Sequence, residues 1–360
     1  TDGSSYGVPY NITRTLQYGA NVGLELQMPL YNQTLYTSIS IAEIVDEMSR
    51  LSYEKAREDL ILQISKMYYL GQVTAEQIAL IKANITRLEE LRDITQAFFD
   101  NGMAMEVDLK RVNINLENLK VQYDNAQAMM TQQLNMLKYI MDYPAEKEIG
   151  LLPVNTDSIA TVALTGLSEN LYELQLLQSQ VQLAERQKRL ISNGYIPSLN
   201  LTGNWRFAAY TDEAYHWFHS GPSNHWFRSY GVGLTLRIPI FDGLDKKYKI
   251  RKAMIDIEMM KLSQLDIRKN LHTQYLNAVN DLMNNQRNFK KQKDNYLLAE
   301  EVYAVTTDRY REGITSMTEV LQDGMRMSEA QNNYISAHYN YRVTNLMLLK
   351  LTGQIASLFK

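Results

Sequence analysis

The hydrophobic pattern along the chain has two periods, and each period occurs twice. In residues 21–28, Val22, Leu24, Leu26 and Met28 alternate with Asn21, Gly23, Glu25 and Gln27. In residues 231–238, Val232, Leu234, Leu236 and Ile238 alternate with Gly231, Gly233, Thr235 and Arg237. A third such segment, PSLNLTGNWRFAAY, sets Leu199, Leu201, Trp205 and Phe207 against Ser198, Asn200, Thr202, Asn204 and Arg206. A period of two predicts strands with one apolar and one polar face. Two architectures use such strands: a soluble sandwich with its apolar faces inward, and a barrel whose apolar face meets lipid.

Elsewhere the period is helical. Residues 32–99, 168–193 and 242–311 lack proline and contain few glycines. About 68 helical residues extend roughly 100 Å, so such a helix must pack along partners of similar length. Pro29 and Pro239 are predicted to end the strands, with Asn32 and Asp242 as helix N-caps. After Gly102 and Gly313 the chain turns back. There Leu109, Leu116, Tyr123, Met130 and Leu137 recur every seventh residue, with Val112, Leu119, Ala126, Gln133 and Ile140 three further on. The later stretch repeats this with Val320, Met327, Tyr334, Tyr341 and Leu348, then Asp323, Ala330, Ala337, Thr344 and Leu351. This is a heptad seam in both places.

The two periods belong to a tandem duplication. VGLELQMPLYN at residues 22–32 returns as VGLTLRIPIFD at residues 232–242; only Glu25/Thr235 and Gln27/Arg237 change chemical type. Gly102 pairs with Gly313, and Met136 and Leu137 with Met347 and Leu348, all at an offset of 211. The order predicts a first strand pair at 1–31, incomplete at its start, and a long helical hairpin at 32–142. An equatorial segment and helix follow at 143–196, a second strand pair at 197–240, a second hairpin at 241–353 and a tail at 354–360. By symmetry, a comparable helix and most of one strand are expected to precede Thr1.

Composition narrows the function. Apolar residues make up 45% and charged residues 21%, which excludes a disordered polymer. A net charge of −3 argues against a nucleic-acid binder. No apolar run reaches the roughly 18–20 residues of a membrane-crossing helix, so any membrane contact must use another device. There is no cysteine, hence no disulfide or thiolate site. The opening TDGSSYGVPY has no signal-peptide character, so the chain is either cytosolic or lacks its native start. No phosphate loop, Ser/His/Asp set or paired-carboxylate pocket stands out, so neither enzyme activity nor a cofactor is expected. His216, His219 and His225 share one loop where a metal site is conceivable, but loop histidines are often unrelated, and most of the 17 methionines lie at helical spacing as core filler, so no metal is expected.

The aromatic residues favour the lipid-facing reading. All three tryptophans, Trp205, Trp217 and Trp226, lie in one region with Phe207, Tyr215, Phe218, Phe227 and Tyr230. Amphipathic rings collect where a membrane meets water. Four strands cannot close a barrel, and an open edge cannot sit in lipid, so the chain must assemble with copies of itself. Two, three or four copies would give eight, twelve or sixteen strands.

Over essentially its whole length the chain resembles the TolC-type outer-membrane efflux proteins. The words MPLYN and IPIFDG, the strand entry GYIPSLNL, the turns FFDNGMAMEVDL and YREGITSMTEVL, and the closing YNYRVTNLMLLKLTG carry the resemblance. It implies a mainly α fold with a small β part. Each chain would supply strand pairs and long helical hairpins to a trimeric, 12-stranded β-barrel continuous with an α-helical coiled-coil tunnel. It implies residence in the outer membrane of a Gram-negative bacterium, with a large periplasmic part, and export of substrates to the exterior. The implied partners are two further copies, outer-membrane lipid, a periplasmic adaptor (membrane fusion) protein and an inner-membrane efflux pump or ABC exporter. At the pore constriction it implies gating roles for Asp108, Tyr310, Glu319 and Asp323, with Tyr310 bonded to Asp108. The family's second acid falls on Gln322, beside Asp323, and its basic tip residue falls on Thr315. Gly102, Met103, Gly313 and Ile314 are implied tip-turn and adaptor-contact residues. A soluble coiled-coil rod or adhesin with a β head is the alternative. It explains the heptads but not the two-faced strands.

Overall fold

The computed structural model describes residues 18–153, 166–211 and 225–359 of a mainly helical chain with one small sheet. The chain forms two compact units, one of Thr1–Asp46 with Gln180–Met260, the other of Glu47–Ser179 with Lys261–Lys360.

The first unit holds the sheet. Strands β1 (Tyr18–Tyr31), β2 (Ser198–Thr211) and β3 (His225–Arg237) pair antiparallel in the order β1-β2-β3. The first-half strand thus joins the second-half pair directly. The register places Leu26, Gly203 and Val232 in one row and Met28, Leu201 and Leu234 in the next. Facing residues share a side, so the apolar sets of all three strands form one continuous face. That face meets no core: Val22, Leu24, Leu26, Val232, Leu234 and Leu236 are all exposed. Both changes of chemical type in the repeated stretch lie on the other face, where Glu25 faces Asn204 and Thr235 faces Asn200. The duplication diverged in chemistry only on the polar side. Gly23, on that side, is fixed by space: a Cβ there would lie 2.5 Å from the Trp205 carbonyl oxygen.

Pro29 does not end its strand. β1 runs on to Tyr31 with a register irregularity between Pro29 and Tyr31, which accommodates the missing N–H. Asn32 does cap α1 (Gln33–Asp100), its Oδ1 accepting from the Thr34 and Leu35 N–H groups at 3.1 and 3.2 Å. Asp242 acts from further away than expected. α4 (Asp245–Arg311) starts after Gly243 and Leu244, both left-handed at φ 65° and 68°. Across that turn the Asp242 carboxylate accepts from the Leu244 and Lys246 N–H groups, each at 3.2 Å. α3 (Tyr172–Asn193) begins four residues later than the sequence suggests.

The second unit is helical. α2 (Glu106–Ile140) and α5 (Met317–Leu351) each have 35 residues, offset by 211 at both ends. Even their exits match: Gly353 is left-handed at φ 72°, and its counterpart Asp142 adopts the same region at φ 52°. Every predicted seam position in both helices is buried or half-buried. α2 buries little else, whereas α5 buries a second stripe of Gln331, Ile335, His338, Arg342, Leu346 and Leu349. Gln331, His338 and Arg342 of that stripe meet α1.

The polar members of that stripe are satisfied. Asn84 Nδ2 donates to Gln331 Oε1 at 2.6 Å. The Tyr334 hydroxyl donates to Glu76 at 2.9 Å, and His338 Nδ1 meets the other Glu76 oxygen at 3.2 Å. Arg342 Nε donates to His338 Nε2 at 3.0 Å, and its Nη1 to Gln72 at 3.2 Å. The Arg342 bond makes Nε2 an acceptor, which assigns the proton to Nδ1 and aims it at Glu76. Burial pushes the Glu76 carboxyl up, but bonds from His338 and Tyr334 and the Arg342 charge outweigh it and hold the group below its usual range.

Candidate functional site at the helical turns

Both hairpins turn the same way. In the first, the Gly102 N–H bonds the Phe99 carbonyl at 2.9 Å and the Met103 N–H bonds Phe98 at 2.7 Å. In the second, Gly313 bonds Tyr310 at 2.9 Å and Ile314 bonds Arg309 at 2.9 Å. This is the Schellman pattern, which needs a left-handed residue after the helix. Gly102 and Gly313 supply it at φ 72° and 75°. The next residue in each turn, Met103 or Ile314, is apolar and about two-thirds exposed, at 67% and 68%. Both turns thus present an apolar side chain that the protomer leaves uncovered.

Behind the turns all four long helices meet. Leu88 and Leu91 of α1, Val112 and Leu116 of α2, Tyr303 and Tyr310 of α4, and Met317, Val320 and Met327 of α5 form one core. Tyr310 is buried there, its ring 5.6 Å from Phe98. Its hydroxyl faces Thr95 Oγ1 at 3.5 Å, a long contact. The bond to Asp108 that the resemblance implies is not formed. Asp108 instead accepts from Arg111 at 3.2 Å, and Arg111 also reaches the Thr318 hydroxyl at 3.4 Å, tying α2 to α5. A buried hydroxyl takes the acceptor that is within reach, and Thr95 on the facing helix supplies it.

The predicted acids divide. Glu319 is exposed in the first turn of α5, where the helix dipole favours a carboxylate. Ser316 caps that helix, and the Thr315 hydroxyl donates to the Glu319 carboxylate. Thr315 therefore holds the acid in place by a neutral bond. Asp323 lies inside the hairpin, accepting from Thr306 at 2.8 Å and pairing with Arg326 at 3.0 Å. The structure gathers Asp108, Tyr310 and Glu319 near the turns but gives Asp323 to the contact between α4 and α5. Sequence reasoning missed Thr95, Arg111 and Thr306. Arg111 had a signal, its position three after Asp108; Thr95 and Thr306 look like any helical threonine.

On the sheet, Trp205 and Phe207 share the apolar face with rings 5.1 Å apart, and Trp226 lies on the same face. Trp217 lies outside the described residues. No His/Cys/Asp/Glu group among the described residues is arranged to hold a metal.

The sheet thus has one uncovered apolar face and one polar face, and no described helix is long and apolar enough to cross a membrane. The family model for outer membrane efflux proteins matches residues 11–141 and 164–354. The chain belongs to that family. It is 20% identical to the outer membrane protein TolC of Vibrio cholerae, covering 96% of this chain and 81% of that one. It is 22% identical to the probable efflux pump outer membrane protein TtgC of Pseudomonas putida, covering 98% and 73%. The crystal structure of the Campylobacter jejuni CmeC outer membrane channel superposes with a TM-score of 0.75 at 18% identity, over 98% of this chain and 75% of that one. The chain is an efflux channel of the Gram-negative outer membrane with a large periplasmic part, and the family is one of transport channels.

Proposed function

We propose that three copies close a twelve-stranded barrel over a helical tunnel, and that the tunnel is a passive conduit fed by a periplasmic adaptor and an inner-membrane pump. The observation that carries this reading is the open sheet. Among the described residues, the outer edges of β1 and β3 have no partner strand. In lipid each unpaired backbone group costs several kcal/mol, so closure by further copies is required. Three strands are described; the first strand pair expected at 1–31 lies partly outside the described residues. A second feature supports self-assembly. Ile255, Leu262, Leu276, Met283 and Leu297 of α4 lie on one seven-residue repeat, interrupted by Lys269 and Lys290, and are exposed, as are Val107, Ile114 and Val121 of α2. Such a stripe suits a neighbouring helix. Light scattering of the detergent-solubilised particle, with detergent subtracted, is expected to give the mass of three protomers. A monomer that is monodisperse in plain buffer would remove the barrel.

In this reading the turns form the inner aperture, held by Asp108, Tyr310 and Glu319, while Met103 and Ile314 meet the adaptor. Exposed carboxylates around an axis repel one another, so neutral and ion-pair bonds must hold them. Asp108→Ala removes the carboxylate that holds Arg111 beside Thr318, and Tyr310→Phe removes the bond to Thr95. Each is expected to raise single-channel conductance in planar bilayers, Asp108→Ala several-fold and Tyr310→Phe less, because its bond is long. Unchanged currents in both variants would overturn the gating assignment. No enzyme activity is part of the reading.

A further inference from the structure

The two strand-to-helix handovers are not equivalent. α1 begins QTLYTSIS, without a charge, whereas α4 begins DKKYKIRK, with five basic residues in eight. The basic residues sit at the wrong end of their helix, since the dipole disfavours cations at the N-terminus. Neither helix propensity nor hairpin packing accounts for them, because α1 performs the same handover uncharged. Two of the five are neutralised locally: Lys246 pairs with Asp242 at 3.1 Å, and Lys249 with Asp245 at 2.7 Å. Lys247, Arg251 and Lys252 are exposed and have no ion-pair partner among the described residues.

Immediately before them the chain carries an uncovered apolar segment. Ile240 and Phe241 are 92% and 82% exposed, followed by Leu244 and Tyr248, also exposed. Leu244 is a branched residue in the left-handed region, where side chains rarely sit. An apolar and aromatic segment followed within about one helical turn by unpaired cations has the composition of a membrane-interface anchor. Connectivity fixes its level. It follows the strand end that leads into the periplasmic helices, so it lies at the periplasmic surface of the bilayer. Along the helix Lys247 and Lys252 are only about 3 and 10 Å from the start of α4, close to one Debye length of roughly 8 Å.

We propose that Lys247, Arg251 and Lys252, with Ile240, Phe241 and Tyr248, bind the acidic headgroups of glycerophospholipids in the periplasm-facing leaflet. This rests on the outer-membrane placement but not on the tip gating. The cations neutralise the phosphodiester and any further acidic group, while the apolar residues enter the acyl boundary. The site belongs to the second half of the duplication alone, so each protomer carries one.

The test is native mass spectrometry of the detergent-solubilised protein in mixed micelles holding equal phosphatidylglycerol and phosphatidylcholine. Wild type is expected to retain phosphatidylglycerol several-fold over phosphatidylcholine, and to lose that preference at high salt. The triple variant Lys247→Gln, Arg251→Gln, Lys252→Gln is expected to retain both equally, with its oligomeric mass and single-channel conductance unchanged. Equal retention by wild type would overturn the proposal while intact conductance kept the channel reading. So would a triple variant that keeps the preference. A triple variant whose oligomer falls apart would assign the cations to a second copy and also overturn it.

Discussion

Glu76→Ala is expected to destabilise the helical unit by about 3–5 kcal/mol, the range for leaving a buried charge without its partner. The loss has three parts. The Arg342 guanidinium, 8% exposed, loses the Glu76 charge that it stabilises. The Tyr334 hydroxyl and the His338 Nδ1–H each lose their acceptor. Asn84, Gln331 and Gln72 keep their own bonds, which confines the damage to the centre of the network. The matched control is Glu117→Ala. Glu117 is exposed and pairs with Lys120 at 2.9 Å, and surface pairs are worth at most about 1 kcal/mol. Thermal unfolding followed by helical circular dichroism should show a large shift for the first and almost none for the second. Equal shifts would remove the network's structural role. The pH dependence has a fixed sign. The Glu76 carboxyl titrates lower in the folded protein than in the unfolded chain. Its contribution is therefore complete above the ordinary carboxylate range and disappears as pH falls through the lowered folded value. The gap between wild type and Glu76→Gln should close in acid.

The same network shows what the sequence could and could not convey. The heptad seam of α2 and the matching seam of α5 were legible, because Leu116, Leu137, Val320 and Leu348 announce burial by type. The second stripe of α5 was not. Gln331, His338 and Arg342 are polar by type, and only their partners on α1, about 250 to 270 residues away, make them interior. The arrangement separates the duplicated halves. At the offset of 211, the α2 counterparts of Gln331, Tyr334, His338 and Arg342 are Lys120, Tyr123, Gln127 and Thr131. An α2 helix placed in the α5 position would offer Glu76 neither an imidazole nor a guanidinium. Two helices of equal length and similar seam could exchange places, and the polar stripe penalises the exchange. Near the turns the glycines were legible because a left-handed residue was required there. The Tyr310–Thr95 contact was not, since nothing local marks one helical threonine as the facing one. Pro29 misled for a related reason: its missing N–H limits a strand only where a neighbour needs that donor, and the register irregularity removes the need.

Val232→Arg is expected to abolish stable residence in the outer membrane, whereas Thr235→Arg should leave it near wild type. The two residues are three apart on β3 and point to opposite faces. Val232 lies in the row of Leu26 and Gly203 and is 83% exposed on the apolar side. Thr235 faces Asn200 on the polar side, where Arg237 already stands two residues further on. An arginine on a barrel's lipid face costs about 2–4 kcal/mol near the bilayer midplane and little near the interfaces. Every copy in a closed assembly incurs that cost, so the variant loses a sizeable part of the 5–15 kcal/mol or so that keeps a typical fold intact. On the polar face the same side chain meets water and costs almost nothing. The measurement is the amount of folded, protease-resistant protein in outer-membrane fractions at equal expression. Loss with Val232→Arg alone assigns lipid to the face carrying Val22, Leu24, Leu26 and Leu234. Loss with Thr235→Arg alone would assign lipid to the opposite face of the sheet. Loss with neither would mean the apolar face is covered by protein rather than lipid. The repeated stretch already leans to the first outcome, because its two halves exchanged chemistry at Glu25/Thr235 and Gln27/Arg237 and left every apolar-face position apolar.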